Sequence, residues 1–226
     1  IWGELAGAVR WDQEQQLGFF QYDPDFIRKG WNLSPIKMPI ENGDAIYSFP
    51  ELRKGRGETE DTFKGLPGML ADALPDKYGN RLINVWLAKQ GRPENSMNPV
   101  EKLCFIGKRG MGALEFEPTQ IKSSKNTFSL ELDSLVDVAK KMLNERENFL
   151  TNINKEEEKA MQDILKIGTS AGGARPKAVI AYNPKTKEIR SGQTSVPKGF
   201  EHWLIKLDGV SGAQFGESSG WGRVEY

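Results

Sequence analysis

The chain has 226 residues, 38% of them hydrophobic and 10% aromatic, with a mean hydropathy of -0.56, which fits a soluble globular protein with a sizeable core and argues against disorder. Its 31 Lys+Arg and 31 Asp+Glu cancel, so neither a global basic field for nucleic acid nor an acidic solvating tail is present, and any anion site must be local. No apolar window approaches the roughly 18 residues that span a bilayer, no signal peptide is visible, and the lone Cys104 excludes an internal disulfide; a cytoplasmic protein without a membrane partner is expected.

The chain begins at Ile1 without methionine and ends at Glu225-Tyr226, just after a glycine-rich stretch, and reads as a fragment whose continuation is absent. Ile1, Trp2, Leu5, Ala8, Val9 and Trp11 suggest an opening strand. Residues 1 to about 50 carry short apolar runs, Leu17 to Phe20 and Ala45 to Phe49, between Asp23-Pro24, Ser34-Pro35, Met38-Pro39 and Asn42-Gly43. That density of turn residues predicts a small, curved β structure. From Asp61 the period becomes helical: Phe63, Leu66, Met69-Leu70 and Ala73-Leu74 form one apolar set, and Tyr78, Leu82 and Val85-Trp86 form a second that runs to Gly91.

Asn98-Pro99-Val100-Glu101 supplies an N-cap, a proline at the first helical position and a glutamate at the third, so a short helix should follow and hold Leu103 and Cys104. Gly112 to Pro118 reads as a strand stopped by proline. Helices are predicted from Leu132 to Leu143 and from Lys155 to Leu165, the second with a charged face beside Ala160-Met161 and Ile164-Leu165.

The stretch Ile167 to Lys177 carries the chemistry. Small residues from Gly168 to Ala174 let backbone N–H groups approach a phosphate, and Arg175 and Lys177 add local positive charge. It is not a Walker A loop, because the β-run Ala178 to Tyr182 follows instead of a helix. A glycine-rich loop leading into a hairpin is how protein kinases cover ATP phosphates; a simple glycine-rich turn is the alternative. The next apolar strand, His202 to Leu207, carries Lys206 among residues expected to be buried, where kinases keep a lysine for the phosphates and pair it with a helix glutamate. Glu225 is the candidate partner; alternatively Lys206 lies at an edge and reaches water. One histidine, His202, and one cysteine leave no Cys/His zinc site. Asp72 and Asp76 sit at helix ends, where capping or solvation outweighs acid–base work. The tryptophans and Phe19-Phe20 lie mostly in apolar runs and read as core.

Gly168 to Lys177, Trp203-Leu204-Ile205-Lys206-Leu207 and Val224-Glu225-Tyr226 resemble the HipA family of bacterial toxin kinases. So do Gly3-Glu4-Leu5, Leu33-Ser34-Pro35 to Met38-Pro39, Phe63 to Asp76, and Leu103 to Gly107 through Gly112-Ala113-Leu114, in order and spacing. The resemblance implies a type II toxin–antitoxin serine/threonine kinase using ATP and Mg²⁺ on a protein substrate, a translation component of the aminoacyl-tRNA synthetase class. It implies a helix-turn-helix antitoxin partner of the HipB type, through which the complex reaches operator DNA. By matching positions, Gly172, Gly173, Ala174, Arg175, Pro176 and Lys177 would line the phosphates, Lys206 would contact them, and Ser170 would be autophosphorylated, which switches the kinase off. Adding that charge to a phosphate loop would repel ATP.

The 20 residues after Lys206 leave no room for the family's catalytic aspartate, its asparagine or its metal-binding aspartate. No catalytic residue or metal ligand is therefore assigned here, and this chain by itself is expected not to catalyse. Arg175-Pro176 also departs from the Gln-Glu of some HipA proteins. The expected architecture is α+β: residues 1–120 form a HipA-type N-terminal domain with a small β-barrel-like sheet and packed helices, 121–166 a helical connector, and 167–226 a partial kinase-like lobe. A non-catalytic module that docks antitoxin is the second reading.

Overall fold

A computed structural model of the chain describes residues 1–53, 62–110, 112–120, 129–130, 132–144, 155–168, 177–193 and 196–207. Its strands are β1 (Gly7–Asp12), β2 (Leu17–Tyr22), β3 (Ile46–Tyr47), β4 (Lys177–Tyr182), β5 (Ile189–Ser191) and β6 (Glu201–Lys206). Its helices are α1 (Pro24–Arg28), α2 (Gly68–Ala71), α3 (Lys77–Lys89), α4 (Pro99–Ile106), α5 (Leu132–Asn144) and α6 (Lys155–Gly168). They fall into two compact units, Ile1–Leu74 with Met97–Gln120, and Pro75–Ser96 with Ile121–Tyr226. Residues 75–96, which the sequence reading groups with 1–120, thus cluster with the later part of the chain.

In the first unit β1, β2 and β3 form an antiparallel sheet in that order. The β1–β2 turn is organised by Asp12, whose carboxylate accepts the backbone N–H groups of Glu14 and Gln15 at 3.1 and 2.9 Å. Those bonds favour the ionised form, and they hold the Asp12 carboxyl below its ordinary range. One end of the sheet is packed by aromatic rings: Tyr22 meets Phe20 and Tyr47 edge-on and stacks parallel to Phe26. Around them Met38, Ile40, Leu66, Leu70 and Leu103 complete the core. Pro24 begins α1 behind the Asp23 cap, as proline can where no helical partner for its missing N–H is needed.

Four expectations change here. The sheet is open and three-stranded, with no closed barrel among the described residues, because β3 is only two residues long and pairs with β2 alone. The apolar set from Phe63 to Leu74 yields only the single turn of α2, since Lys64 and Gly65 take positive φ and Pro67 follows. Gly65 is required there: a Cβ would stand 2.3 Å from the Gln16 carbonyl oxygen, and its own carbonyl accepts the Gly18 N–H at 2.8 Å. Residues 112–118 are not a strand; Phe116 donates its N–H to the Gly107 carbonyl, and Pro118 has none to offer a partner. The first strand also starts later than expected, at Gly7, after a turn closed by Glu4 N–H on the Ile1 carbonyl.

In the second unit α6 packs against α3, α5 and β4. Tyr78, Leu82 and Val85 on α3 are buried, at the spacing that puts them on one face. Leu135, Val138 and Ala139 of α5 and Ala160, Met161, Ile164 and Leu165 of α6 are buried as well. The sheet runs β5–β4–β6, all antiparallel, with β4 in the centre. That place explains why Lys177, Ala178, Ile180 and Ala181 are all buried. Among the described strands β6 lies at the edge, and Trp203 and Leu204 remain 52% and 47% exposed.

The predicted capping box of α4 is complete: Asn98 Oδ1 accepts the Glu101 N–H at 2.9 Å, and the Glu101 carboxylate accepts the Asn98 N–H at 2.8 Å. Asn98→Ala should lower unfolding stability in urea by about 1 kcal/mol, whereas Asn98→Asp, which caps equally well, should stay close to the parent.

Candidate functional site

Pro75-Asp76 starts α3, and the Asp76 carboxylate serves two partners. Its Oδ1 caps the helix by accepting the Gly79 N–H at 2.7 Å, while the Asn80 amide donates to the Pro75 and Asp76 carbonyls at 2.7 and 2.8 Å. Its Oδ2 accepts Lys177 Nζ at 2.5 Å. Lys177, the first residue of β4, is 1% exposed. The Tyr78 ring lies 6.0 Å from the ammonium. Burial pushes the Tyr78 phenol above its ordinary range, and the nearby Asp76 charge adds to that. Gly168, the last residue of α6, completes the group: a Cβ there would come within 3.1 Å of the Lys177 carbonyl oxygen and 3.2 Å of both Tyr78 and Leu82. The two residues that flank the glycine-rich stretch, Gly168 and Lys177, therefore meet at the start of α3.

A lysine this deeply buried is costly unless an anion meets it, and removing one partner of such a pair leaves the other charge stranded at a cost of about 3–5 kcal/mol. The sequence signal for this contact is weak. Asp76 is legible as a helix cap, but its ion-pair partner lies 101 residues away.

Among the predicted site residues, Lys177 and Lys206 are described, and Ser170, Gly172, Gly173, Ala174, Arg175, Pro176 and Glu225 lie outside the described residues. Lys206 is exposed rather than buried, because β6 is an edge strand. It is the direct cross-strand partner of Lys177. His202 is exposed on the same strand, and Asp72 ends α2 as its C-cap. Cys104 is half-buried, and burial, with Glu101 nearby, raises its thiol above the ordinary value. Among the described residues no three His, Cys, Asp or Glu side chains converge as a metal site would need. No described helix is long and apolar enough to cross a membrane. A cleft of about 260 Å³ between α3 and α6 is lined by Trp86, Lys89, Met161 and Leu165 among others, and neither Asp76 nor Lys177 lines it.

Two open three-stranded antiparallel sheets with packed helices define a mixed α and β protein. The sequence model of a family described as the HipA N-terminal domain matches residues 1–117. The chain belongs to that family, which places it among HipA-like proteins of toxin–antitoxin systems. Comparison with curated proteins and with solved structures returned no match.

The Tyr78 hydroxyl is buried without a hydrogen-bond partner among the described residues. Tyr78→Phe should therefore leave thermal stability unchanged or raise it by up to about 1 kcal/mol. A loss above about 2 kcal/mol would mean that the hydroxyl is satisfied after all.

Proposed function

We propose that the chain is the N-terminal and phosphate-binding part of a HipA-type serine/threonine kinase that acts in the cytoplasm on a translation component of the aminoacyl-tRNA synthetase class. Gly172, Gly173, Ala174 and Arg175 offer backbone N–H groups to the ATP phosphates, Pro176 and Lys177 end the stretch that lines them, Lys206 adds the positive charge, and Glu225 pairs with Lys206. Ser170 is the residue that the kinase phosphorylates to inactivate itself. A helix-turn-helix antitoxin of the HipB type binds the protein and links it to operator DNA. The observation that carries the reading is the register of β4 and β6: Lys206 pairs directly with Lys177, the residue that ends the glycine-rich stretch. An exposed lysine thereby lies across from Lys177 at the end of that stretch, which supports the kinase reading because kinases keep a strand lysine near their glycine-rich loop. Mg²⁺ would neutralise phosphate charge, and no described residue of this chain is assigned to it.

The extent of the family match supports a second reading. It ends at residue 117, before the glycine-rich stretch, so a module that docks antitoxin without catalysis would need only the matched part. ATP-dependent phosphate incorporation separates the two. In the complete protein with Mg²⁺, label should map to Ser170 and disappear in Ser170→Ala. A dephosphorylated protein that takes up no label and binds no ATP overturns the kinase and leaves the docking module.

A further inference from the structure

Of the large apolar side chains of α3, Tyr78, Leu82, Ile83, Val85 and Leu87 are buried and Trp86 is only half-buried. Trp86 lines the cleft between α3 and α6. We propose that this cleft is a docking site for an acidic peptide segment of a partner protein, whose apolar anchor residue enters between the two helices while flanking carboxylates meet Lys89 and Lys166. The site rests on neither the kinase reading nor the docking module, because α6 lies beyond the part of the chain that the family model matches.

Shape, lining and charge carry this. Gly168 at the end of α6 meets Tyr78 and Leu82 near the start of α3, whereas the cleft joins the end of α3 to the preceding turns of α6, so the two helices run in opposite directions and leave a groove between them. Its apolar lining is Trp86 with Met161 and Leu165, and aromatic and methionine side chains are the ones that protein interfaces favour. At about 260 Å³ the cleft is smaller than the roughly 300–1,000 Å³ of small-molecule pockets, so it suits one or two side chains of a segment lying across it. The charge is one-sided. Lys89 and Lys166 line the cleft and no carboxylate does so among the described residues. The sequence of α3 holds Lys77, Arg81 and Lys89 and no acid, and the acids of α6 other than Asp163 are confined to its first turn, away from the cleft. Asp163 meets Lys166 at the long distance of 3.8 Å and stands outside the lining, so an incoming carboxylate meets a cationic rim. The remaining lining residues, Gln90 and Gln162, are exposed and can bond to the backbone of a docked segment. An amphipathic helix laid in a groove is the recognition mode that such a surface fits.

The probe is a fluorescein-labelled peptide of about 15 residues built from alanine, glutamate and leucine, with the leucines on one helical face. Fluorescence anisotropy with the whole chain should show binding at about 100 µM or tighter, weakening as salt is raised. In Lys89→Glu/Lys166→Glu the affinity should fall about tenfold or more, and a second peptide with lysine in place of each glutamate should show the reverse preference, binding the charge-reversed variant better than the wild type. Trp86→Ala should weaken the acidic peptide by a similar factor. The charge-reversed variant, whose changes are at the rim, keeps the test decisive where Trp86→Ala fails to fold. A measurement on the wild-type chain needs no variant: the bound acidic peptide should slow acetylation of Lys89 and Lys166 by an N-hydroxysuccinimide ester and leave that of Lys185, in the β4–β5 turn, unchanged. No binding at about 1 mM acidic peptide overturns the proposal. So does equal affinity of the wild type for the acidic and the basic peptide, or an affinity that the folded charge-reversed variant leaves unchanged. Dodecanoate that protects the same two lysines where the peptide does not would assign the cleft to a small amphiphile and overturn it as well.

Discussion

The second unit of this protein depends on one buried ion pair. Lys177 begins the central strand of a three-stranded sheet, and Asp76 caps the start of the 13-residue helix α3. The Lys177 charge, 1% exposed, would be costly there without an anion. Joined, they tie the start of β4 to the start of α3, and the close fit of Gly168 brings the end of α6 to the same point. An apolar pair of similar volume could supply comparable stability. The ion pair adds direction: one carboxylate cannot cap α3 and meet Lys177 unless helix and strand arrive in a single relative register.

What the amino-acid sequence discloses follows the range of the interaction. The α4 capping box is complete within four residues, Asn98 to Glu101, and is readable in full. The helices α3, α5 and α6 follow from apolar spacing alone, because each presents one stripe to its unit. The overlong helix expected from Phe63 arose from the same spacing. There the apolar positions are real, but Gly65 must accommodate the Gln16 carbonyl and the backbone bends accordingly.

The two lysines show the limit most clearly. Both lie in apolar runs, and nothing local distinguishes Lys177 in the centre of a sheet from Lys206 on its edge. Their exposures differ because, among the described strands, β4 has a neighbour on each side and β6 has one. The same order explains Trp203 and Leu204, whose apolar character predicts burial although both are about half exposed. Asp76 was legible as a cap and illegible as a counter-ion, since its partner is brought to it only by the assembled unit. A phosphate-binding role for residues 168–177 is an expectation from composition and resemblance, whereas the strand that follows is present as β4.

The interleaved order of the two units has a consequence for synthesis. The chain leaves the first unit at Leu74, builds α3, and returns to it at Met97. The residues that α3 needs as neighbours, on α5, α6 and β4, are translated only after both visits to the first unit are over. On the ribosome, the first unit can close once Gln120 has emerged, while Tyr78, Leu82, Ile83 and Val85 wait with their apolar stripe uncovered. At about 5–20 residues per second the wait for β4 lasts several seconds. A nascent chain stalled, cleaved or terminated in that interval would present a finished domain bearing a sticky helix, a form suited to chaperone capture and prone to self-association.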